Sequence, residues 1–241
     1  MNDKMNTVII LAAGKGTRMN SDIPKVLHTL NNKTLLEHVI DAAKRLNPKQ
    51  IIVVVGYKKN LVIEKFKSKD LIFVEQKTQQ GTADAIKYCL PLTKDFNGNV
   101  LILSGDVPLI KPETLKEFIK THDFNNAHAS LISAKIDDPT GYGRIVKNNN
   151  NQLIKIVEHK DASDKQKKIK EINSGIYIVD AKTLNQTIPL IDNKNAQSEY
   201  YLTDIFNFID EKNTSIFEVK NNNEISGINT IVQLSNMEKK Y

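Results

Sequence analysis

The chain has 241 residues, a length that suits one large α/β domain, and a net charge of +6 at pH 7. Its lysines are spread along the chain and do not form blocks flanked by aromatic side chains, which favours small phosphorylated partners over nucleic acid. The single cysteine, Cys89, excludes an intrachain disulfide and a zinc site built from cysteines, and we expect it to be buried in a helix.

The N-terminal apolar run is short, lacks a cleavage-site pattern and leads directly into a loop, so we interpret it as a strand and not as a signal peptide. No apolar run approaches the ~18 residues that a transmembrane helix needs. We therefore expect a cytoplasmic protein without a membrane partner.

The first predicted element is a buried strand over residues 7–12, which are rich in β-branched side chains. The loop that follows, 13–18, contains two glycines, so its backbone N–H groups can approach an anion closely. Arg18 and Lys25 add positive charge to this stretch. A loop of this kind at the carboxyl end of a central strand is where α/β folds bind nucleotides.

The glycine loop does not match the two best-known nucleotide-binding motifs. The P-loop requires Ser or Thr after Gly-Lys, but Gly16 follows Gly14-Lys15. The dinucleotide fingerprint requires a third glycine where this chain has Met19. The run Leu11–Met19, followed by Pro24-Lys25, instead matches a signature of nucleotidyltransferases that join a nucleoside triphosphate to a sugar phosphate.

Strands and helices alternate through the rest of the first half. Thr34 and Glu37 have the spacing of a capping box at the start of a helix. The patterns predict helices over about 34–46, 61–67, 83–90 and 112–122, and strands over 50–55, 71–75 and 99–104. This alternation predicts a Rossmann-like, doubly wound α/β sheet.

The second half is richer in predicted strands. We expect strands over 129–135, 144–147, 153–158, 171–179 and 215–219, helices near 181–187 and 202–211, and a helix within 229–241. Asn148–Asn151 predicts the turn of a hairpin, and the polar segment 161–170 an exposed helix or lid. We predict one mixed-sheet domain with an inserted subregion on the sugar side.

A carboxylate, Asp106, follows the fully apolar strand 99–104. Because parallel strands present their carboxyl ends at one edge of a sheet, Asp106 is expected to face the glycine loop. There the carboxylate is suited to be an oxygen ligand of Mg²⁺. The alternative is that Asp106 only caps a turn before Pro108, a position where Asp is common. Spacing alone does not reveal a second ligand.

Arg18 and Lys25 are suited to hold a triphosphate and to offset the negative charge that grows during its cleavage. Gln76 and the turn Gln80-Gly81-Thr82 supply amide and N–H groups that can bind the edge of a base. The five histidines have no metal-ligand spacing, and no Ser/His/Asp set suggests covalent hydrolysis.

Nine segments, in order along nearly the whole chain, match one family. They are Leu11-Ala-Ala-Gly-Lys-Gly-Thr-Arg-Met19, Pro24-Lys-Val-Leu-His28, Gln80-Gly-Thr82, Gly105-Asp-Val-Pro-Leu109, Asp137-Asp-Pro-Thr-Gly-Tyr-Gly-Arg144, Val157-Glu-His-Lys-Asp-Ala162, Glu171-Ile-Asn-Ser-Gly175, Ala196-Gln-Ser-Glu-Tyr-Tyr-Leu-Thr-Asp204 and Gly227-Ile-Asn229. The chain resembles the N-terminal uridylyltransferase domain of the bifunctional N-acetylglucosamine-1-phosphate uridylyltransferase/glucosamine-1-phosphate acetyltransferase family, whose fold is of the nucleotide-diphospho-sugar transferase type.

The resemblance implies the role of each residue. Arg18, Lys25 and Asp106 are implied to be catalytic, and Asp106 and Asn229 to hold Mg²⁺. The implied substrate-binding residues are Leu11, Ala12, Ala13, Gly14, Lys25, Gln76, Gly81, Thr82, Ser104, Gly105, Asp106 and Asn229 on the nucleotide side, and Gly143, Glu158 and Asn173 around N-acetylglucosamine.

The reaction implied is UTP plus N-acetylglucosamine 1-phosphate giving UDP-N-acetylglucosamine, a precursor of peptidoglycan and, in some bacteria, of lipopolysaccharide, plus pyrophosphate. The family continues into a β-helix of hexapeptide repeats, which this sequence lacks. We therefore expect a uridylyltransferase domain over 1–228 and the start of a linker helix over 229–241, without acetyl transfer and with an uncertain oligomeric state.

Three other functions stay open at this point. The same chemistry on another base or sugar is one, and a non-catalytic module that binds a sugar nucleotide is a second. A glycosyltransferase is the third, although it would need an Asp-x-Asp motif that Gly105-Asp106-Val107-Pro108 lacks.

Overall fold

The fold was analysed in a computed structural model, which describes residues 6–239. The strands are β1 (Thr7–Leu11), β2 (Thr29–Leu30), β3 (Lys33–Thr34), β4 (Gln50–Val55), β5 (Ile72–Glu75), β6 (Asn99–Ser104), β7 (Ala129–Lys135), β8 (Arg144–Lys147), β9 (Leu153–Val157), β10 (Glu171–Asp180) and β11 (Thr214–Glu218). The α-helices are α1 (Leu35–Lys44), α2 (Lys59–Phe66), α3 (Thr82–Lys87), α4 (Leu90–Thr93), α5 (Pro112–Phe124), α6 (Asp164–Lys167), α7 (Ala181–Thr187) and α8 (Ile231–Glu238). Short 3₁₀ segments include Lys25–Leu27 and Leu202–Phe208.

One large mixed sheet carries the fold, in the order β11-β7-β10-β6-β1-β4-β5. Strands β6, β1, β4 and β5 are mutually parallel, whereas β10 runs antiparallel to both β6 and β7. The hairpin of β8 and β9 joins the sheet through β10. The predicted α/β class with a mixed, doubly wound sheet is therefore confirmed.

Both faces of the central strands are buried. Along β1, Val8 and Ile10 belong to one apolar cluster, and Ile9 between them belongs to another on the opposite face. Strand β6 alternates in the same way, with Leu101 on one side and Ile102 on the other. This two-sided burial explains why the parallel strands are continuous apolar runs in the sequence.

Two predicted helices differ from the structure. The one predicted over 83–90 is broken at Cys89 into α3 and α4, because Pro91 lies in the first turn of α4 and cannot continue the preceding helix. The one predicted over 202–211 is a 3₁₀ helix, Leu202–Phe208, that ends before Ile209 becomes extended. In this 3₁₀ helix the Asn207 Nδ2 donates to the Asp204 Oδ1 at 3.2 Å, because side chains three residues apart lie above one another.

Helix α1 forms only half of the predicted capping box: the Thr34 hydroxyl accepts from the Glu37 backbone N–H at 3.2 Å, but the Glu37 side chain does not return to the Thr34 backbone. The Glu37 carboxylate pairs with Lys69 at 3.6 Å. Near the other end of the chain, Leu234 of α8 packs in a small cluster with Met19 and Leu30. The domain boundary predicted between residues 228 and 229 stays a prediction.

Candidate functional site

A cavity of about 440 Å³ opens at the carboxyl edge of β1 and β6. It is lined by the glycine loop, by the turn after β5 and by the end of β6. The lining contains Leu11, Ala12, Ala13, Gly14, Lys25, Gln76, Gly81, Thr82, Ser104 and Asp106 of the predicted nucleotide set. The structure therefore brings most of that set into one place.

The glycine loop packs tightly against Lys25. Gly16 has a φ of +64°, and a Cβ atom there would lie 2.6 Å from the Lys25 Cβ, so the position requires glycine. Pro24 precedes a 3₁₀ turn that begins at Lys25. The ammonium of Lys25 is thus held at the mouth of the loop and not left on the surface.

Four polar side chains meet at the β6 side of the cavity. The Lys25 Nζ forms an ion pair with the Asp106 carboxylate and donates to the Asn229 Oδ1 at 3.0 Å. The Arg18 Nη2 donates to the same Asn229 oxygen at 2.9 Å. Two cationic side chains and two oxygen-bearing side chains are therefore linked in one chain of hydrogen bonds, from Asp106 through Lys25 and Asn229 to Arg18.

Backbone hydrogen bonds hold this group in register. The Gly105 N–H donates to the Leu11 carbonyl at 2.9 Å, which ties the end of β6 to the end of β1. The Ile228 N–H donates to the Asp106 carbonyl at 2.9 Å, which brings Asn229 beside the carboxylate. The sequence placed Asp106 at this edge, whereas Asn229 came only from the family resemblance.

The opposite end of the cavity is polar but carries fewer charges. The buried Gln76 Nε2 donates to the Gly81 carbonyl at 3.0 Å and to the Asp84 Oδ2 at 2.7 Å. The Thr82 hydroxyl accepts from the Leu202 N–H at 2.9 Å. The turn after β5 is therefore fixed both internally and against the 3₁₀ helix.

The three residues expected to bind the sugar form a second group, next to β8 and β10. The Asn173 N–H donates to the Gly143 carbonyl at 2.9 Å. A Cβ on Gly143 would lie 3.5 Å from both the Asn173 Cβ and the Glu158 Oε1. A Cβ there would also lie 3.1 Å from the Ile156 Cγ2, so these residues, which are far apart in the sequence, are closely packed around the Gly143 backbone.

Neighbouring hydroxyl groups complete this second group. The Thr203 hydroxyl donates to the Glu158 Oε1 at 3.1 Å, and the Asn173 Nδ2 donates to the Tyr177 hydroxyl at 2.6 Å. Burial raises the pKa of Glu158 above its ordinary value. Sequence reasoning did not assign a role to Thr203 or Tyr177, although Tyr177 lies four residues after Asn173 on the same strand.

A bend in β10 links the two groups. The register of β10 against β7 shifts between Asn173 and Tyr177, and Gly175 in this stretch has a φ of +78°. The Ser104 hydroxyl donates to the Gly175 carbonyl at 3.4 Å, and the Gly175 N–H donates to the Asn173 Oδ1 at 3.2 Å. One strand therefore spans from the nucleotide cavity to the second group.

Within residues 6–239, no cluster of three or more His, Cys, Asp or Glu side chains is arranged to hold a metal ion. No helix in this part of the chain is long and apolar enough to cross a membrane.

The family model of the MobA-like NTP transferase domain matches residues 8–158, from β1 through Glu158. The chain belongs to the MobA-like NTP transferase family. Membership of this family is consistent with a requirement for a divalent metal. The matched range includes the glycine loop, both cations and Asp106.

Curated relatives named bifunctional protein GlmU match almost the whole chain. The relative from Prochlorococcus marinus is 45% identical over 97% of this chain and 52% of its own length. The relatives from Streptococcus uberis and Clostridioides difficile are 43% and 41% identical, over 97% and 96% of this chain and 51% and 50% of their own lengths. The chain thus spans about half the length of these relatives, and the predicted resemblance to the bifunctional family is confirmed.

Two solved structures share the fold of this NTP transferase. One is a UDP-glucose pyrophosphorylase complexed with UDP-glucose, at a TM-score of 0.77 and 16% identity over 98% of each chain. The other is described as a glucose-1-phosphate thymidylyltransferase from Bacillus anthracis, at a TM-score of 0.74 and 20% identity over 98% of this chain and 94% of its own. At these identities the likeness bears on the fold alone.

Proposed function

We propose that this chain transfers UMP from UTP to N-acetylglucosamine 1-phosphate, producing UDP-N-acetylglucosamine and pyrophosphate. The observation that carries the proposal is the meeting of Arg18, Lys25, Asp106 and Asn229 at the mouth of the glycine loop. The relatives named bifunctional protein GlmU support the choice of substrates. A cytoplasmic location and a role in cell-wall precursor synthesis stay predictions.

The triphosphate binds at the charged end of the cavity in this proposal. Backbone N–H groups of the loop and the ammonium of Lys25 contact its oxygens, and Arg18 approaches from the solvent side. The uridine extends toward Gln76 and Gly81, where the cavity wall offers amide groups and the apolar carbons of Ala13 and Ala85.

The sugar phosphate binds toward the second group. Gly143 carries no side chain beside Glu158 and Asn173, so a sugar ring can approach the backbone closely there. A carboxylate and an amide are suitable partners for sugar hydroxyls and for an acetamide group. The bend in β10 then sets the distance between the sugar and the α-phosphorus.

The residues around Lys25 fit a Mg²⁺ site. The Asp106 carboxylate and the Asn229 Oδ1 both accept from one cationic atom, the Lys25 Nζ, so their oxygens converge on a single position for positive charge. Such hard oxygen ligands, completed by waters and phosphate oxygens, are what Mg²⁺ prefers. When bound, the ion would neutralise phosphate charge and help to orient the triphosphate.

The transfer needs no covalent enzyme intermediate. An oxygen of the sugar phosphate attacks the α-phosphorus, a new P–O bond forms, and the bond to the bridging oxygen of pyrophosphate breaks with its electron pair on the leaving group. Lys25 and Arg18 stabilise the negative charge on the transferring and leaving phosphates. Glu158 and Asn173 hold the attacking substrate in line.

Pyrophosphate release tests the proposal. The wild-type protein is incubated with UTP, MgCl₂ and N-acetylglucosamine 1-phosphate beside Asp106→Ala and, as a matched control, Glu64→Ala on the exposed face of α2. We expect release by the wild type and the control, and a loss of at least about 10²-fold in Asp106→Ala. Binding of UTP without release by the folded wild type would contradict the enzyme assignment and favour a binding module.

A substrate panel separates this reaction from its near alternatives. Glucose 1-phosphate replaces N-acetylglucosamine 1-phosphate in one series, and dTTP or CTP replaces UTP in another. The proposal requires the acetamido sugar and UTP to give the highest kcat/KM. Preference for another pair would keep the chemistry and change the substrates.

A further inference from the structure

Asp84 is a buried carboxylate that the proposed reaction does not use. It lies in the first turn of α3 and is 8% exposed. Its Oδ2 accepts hydrogen bonds from the Gln76 Nε2 at 2.7 Å and from the Gln80 N–H at 3.4 Å. A buried charge is retained at a position only when its partners compensate for the loss of water, so this arrangement calls for an explanation.

The partners of Gln76 determine which way its amide faces. The Gly81 carbonyl and the Asp84 carboxylate are both acceptors, and both lie within hydrogen-bond distance of the same amide nitrogen. Turning the amide over would place its oxygen against two other oxygens, which is strongly unfavourable in a buried site. The NH₂ group is therefore committed to these two partners, and the Oε1 is left as the hydrogen-bonding atom of Gln76.

Gln76 lies at the end of the cavity that is remote from the cations. It follows β5, and β5 is separated from β6 by β4 and β1. Three steps between neighbouring strands span roughly 14 Å. If phosphates occupy the Lys25 end, as in the proposed function, the nucleobase is the part of a nucleoside triphosphate that reaches Gln76.

The geometry points to Asp84 as a positioning residue that selects the base: it holds the Gln76 amide so that only an acceptor, the Oε1, faces the cavity. This inference rests on the proposed function and adds a determinant of its substrate. The bases selected are those with a ring N–H on the pairing edge, such as uracil and thymine.

The pairing edges of the two common pyrimidines explain the selection. Uracil presents an N3–H donor between two carbonyl oxygens, and an amide oxygen can accept from it. Cytosine presents an unprotonated N3 at the same place, which would oppose the Oε1 with one lone pair against another. A site that holds a hydrogen-bonding group in one orientation rejects the mismatched base because that group is left unpaired.

Two substitutions at position 84 distinguish an effect on the orientation of the Gln76 amide from an effect on the packing of residue 84. Asp84→Leu places a larger, similarly branched apolar side chain beside Ile188 and Ile191 and removes both acceptor oxygens. Asp84→Asn keeps one oxygen that can accept from Gln76. Asn99→Leu serves as the matched control, because Asn99 is a buried, hydrogen-bonded side chain at the other end of β6, remote from the cavity.

For each variant we measure kcat/KM with UTP and with CTP. The Kd of each nucleotide is measured separately by titration calorimetry. In Asp84→Leu we expect KM for UTP to rise about 10-fold with kcat little changed, and the preference for UTP over CTP to fall on the order of 10-fold. Asp84→Asn should retain most of the preference. Asn99→Leu should lower the melting temperature without changing the preference.

An unchanged UTP/CTP preference in folded Asp84→Leu would overturn the inference. An equal loss of binding for both nucleotides would also overturn it, since that result indicates a packing role alone. If the wild type binds UTP but releases no pyrophosphate, the proposed function fails, and the binding series still tests Asp84 independently.

Discussion

The Lys25 ammonium forms an ion pair with the Asp106 carboxylate, across 81 positions of sequence and at the edge where β1 and β6 end. The side chains are only 15% and 18% exposed, so the pair is shielded from much of the solvent. The ammonium is therefore held beside the cavity before any substrate binds, where it can stabilise phosphate charge with little solvent screening.

Replacing Lys25 by Met should therefore reduce catalysis far more than stability. We expect kcat/KM for pyrophosphate release to fall about 10²- to 10³-fold, or about 2.7–4 kcal/mol of transition-state stabilisation. Lys33→Met is the matched control, because Lys33 forms an exposed ion pair with Asp41. Activity within threefold of the wild type in Lys25→Met would place the phosphates elsewhere.

Glu158 gives a stability prediction with a defined sign. Burial raises its pKa above the ordinary value of 4.5, so the folded state holds the proton more tightly than the unfolded state. The stabilisation from this proton is fully present below pH 4.5 and is lost as the pH rises through the folded pKa. The uncharged side chain of Glu158→Gln does not lose this stabilisation. The melting temperature of the variant minus that of the wild type should therefore increase as the pH rises from 4 to 8.

The same substitution should weaken binding of the sugar phosphate. Glutamine keeps the acceptor for the Thr203 hydroxyl but removes the charge, and we expect KM for N-acetylglucosamine 1-phosphate to rise on the order of 10-fold. Asp164→Asn, whose side chain is fully exposed on α6, controls for a general charge effect.

The pH series on Glu158→Gln has its own contradicting outcome. A difference in melting temperature between wild type and Glu158→Gln that stays constant across the pH range would contradict the raised pKa of Glu158.

Gly81→Ala tests the fit of the turn against Tyr200. Gly81 has a φ of +119°, and a Cβ there would lie 2.4 Å from the Tyr200 carbonyl oxygen. That oxygen accepts from the Ala83 N–H at 2.9 Å and so has little freedom to move. We expect a loss of roughly 3 kcal/mol in the free energy of unfolding, measured with urea, because strain and overlap add.

Gly141→Ala separates the two contributions to that loss. Gly141 has a φ of +85°, but a Cβ there would meet no atom within 4 Å. Backbone strain alone should cost about 1–2 kcal/mol. Equal losses in the two variants would show that Tyr200 gives way and that the turn is not rigid.

Cys89 should be inert in the folded protein. The thiol is fully buried, and burial raises its pKa to about 12. Since the thiolate is the reactive form, alkylation by iodoacetamide at pH 8 should be at least about 10³-fold slower in buffer than in urea. Rapid labelling without loss of structure would contradict the burial, and mass spectrometry of the modified peptide provides the measurement.

The sequence predicted the elements with strong apolar patterns. β4, β6 and β7 have the predicted bounds. In β4 and β6 an apolar run marks the buried parallel strand, and in β7 small serines replace some of the apolar residues. The meeting of the glycine loop and Asp106 also followed from the sequence, since both come at the ends of strands in a parallel set. The motifs alone predicted that Arg18, Lys25 and Asp106 lie at one end of the cavity, but they did not predict Asn229.

Other parts of the site depend on contacts that have no sequence period. Asp84 approaches Gln76 through the geometry of one turn, and no spacing rule signals such a pair. Gly143 lies beside Asn173 because the Asn173 N–H, on the bent strand β10, donates to the Gly143 carbonyl. The bend itself is not visible in the apolar pattern. The break at Cys89 was signalled by Pro91, which the prediction of a single helix overlooked.

Asn229 joins Arg18 and Lys25 from more than 200 positions further along the chain. On a ribosome, the loop and both cations would emerge long before this partner is synthesised. Until residue 229 is made, Arg18 and Lys25 lack the one oxygen that accepts from both of them. The complete hydrogen-bonded group can therefore form only after the strands that position its other members, β1 and β6, have been synthesised.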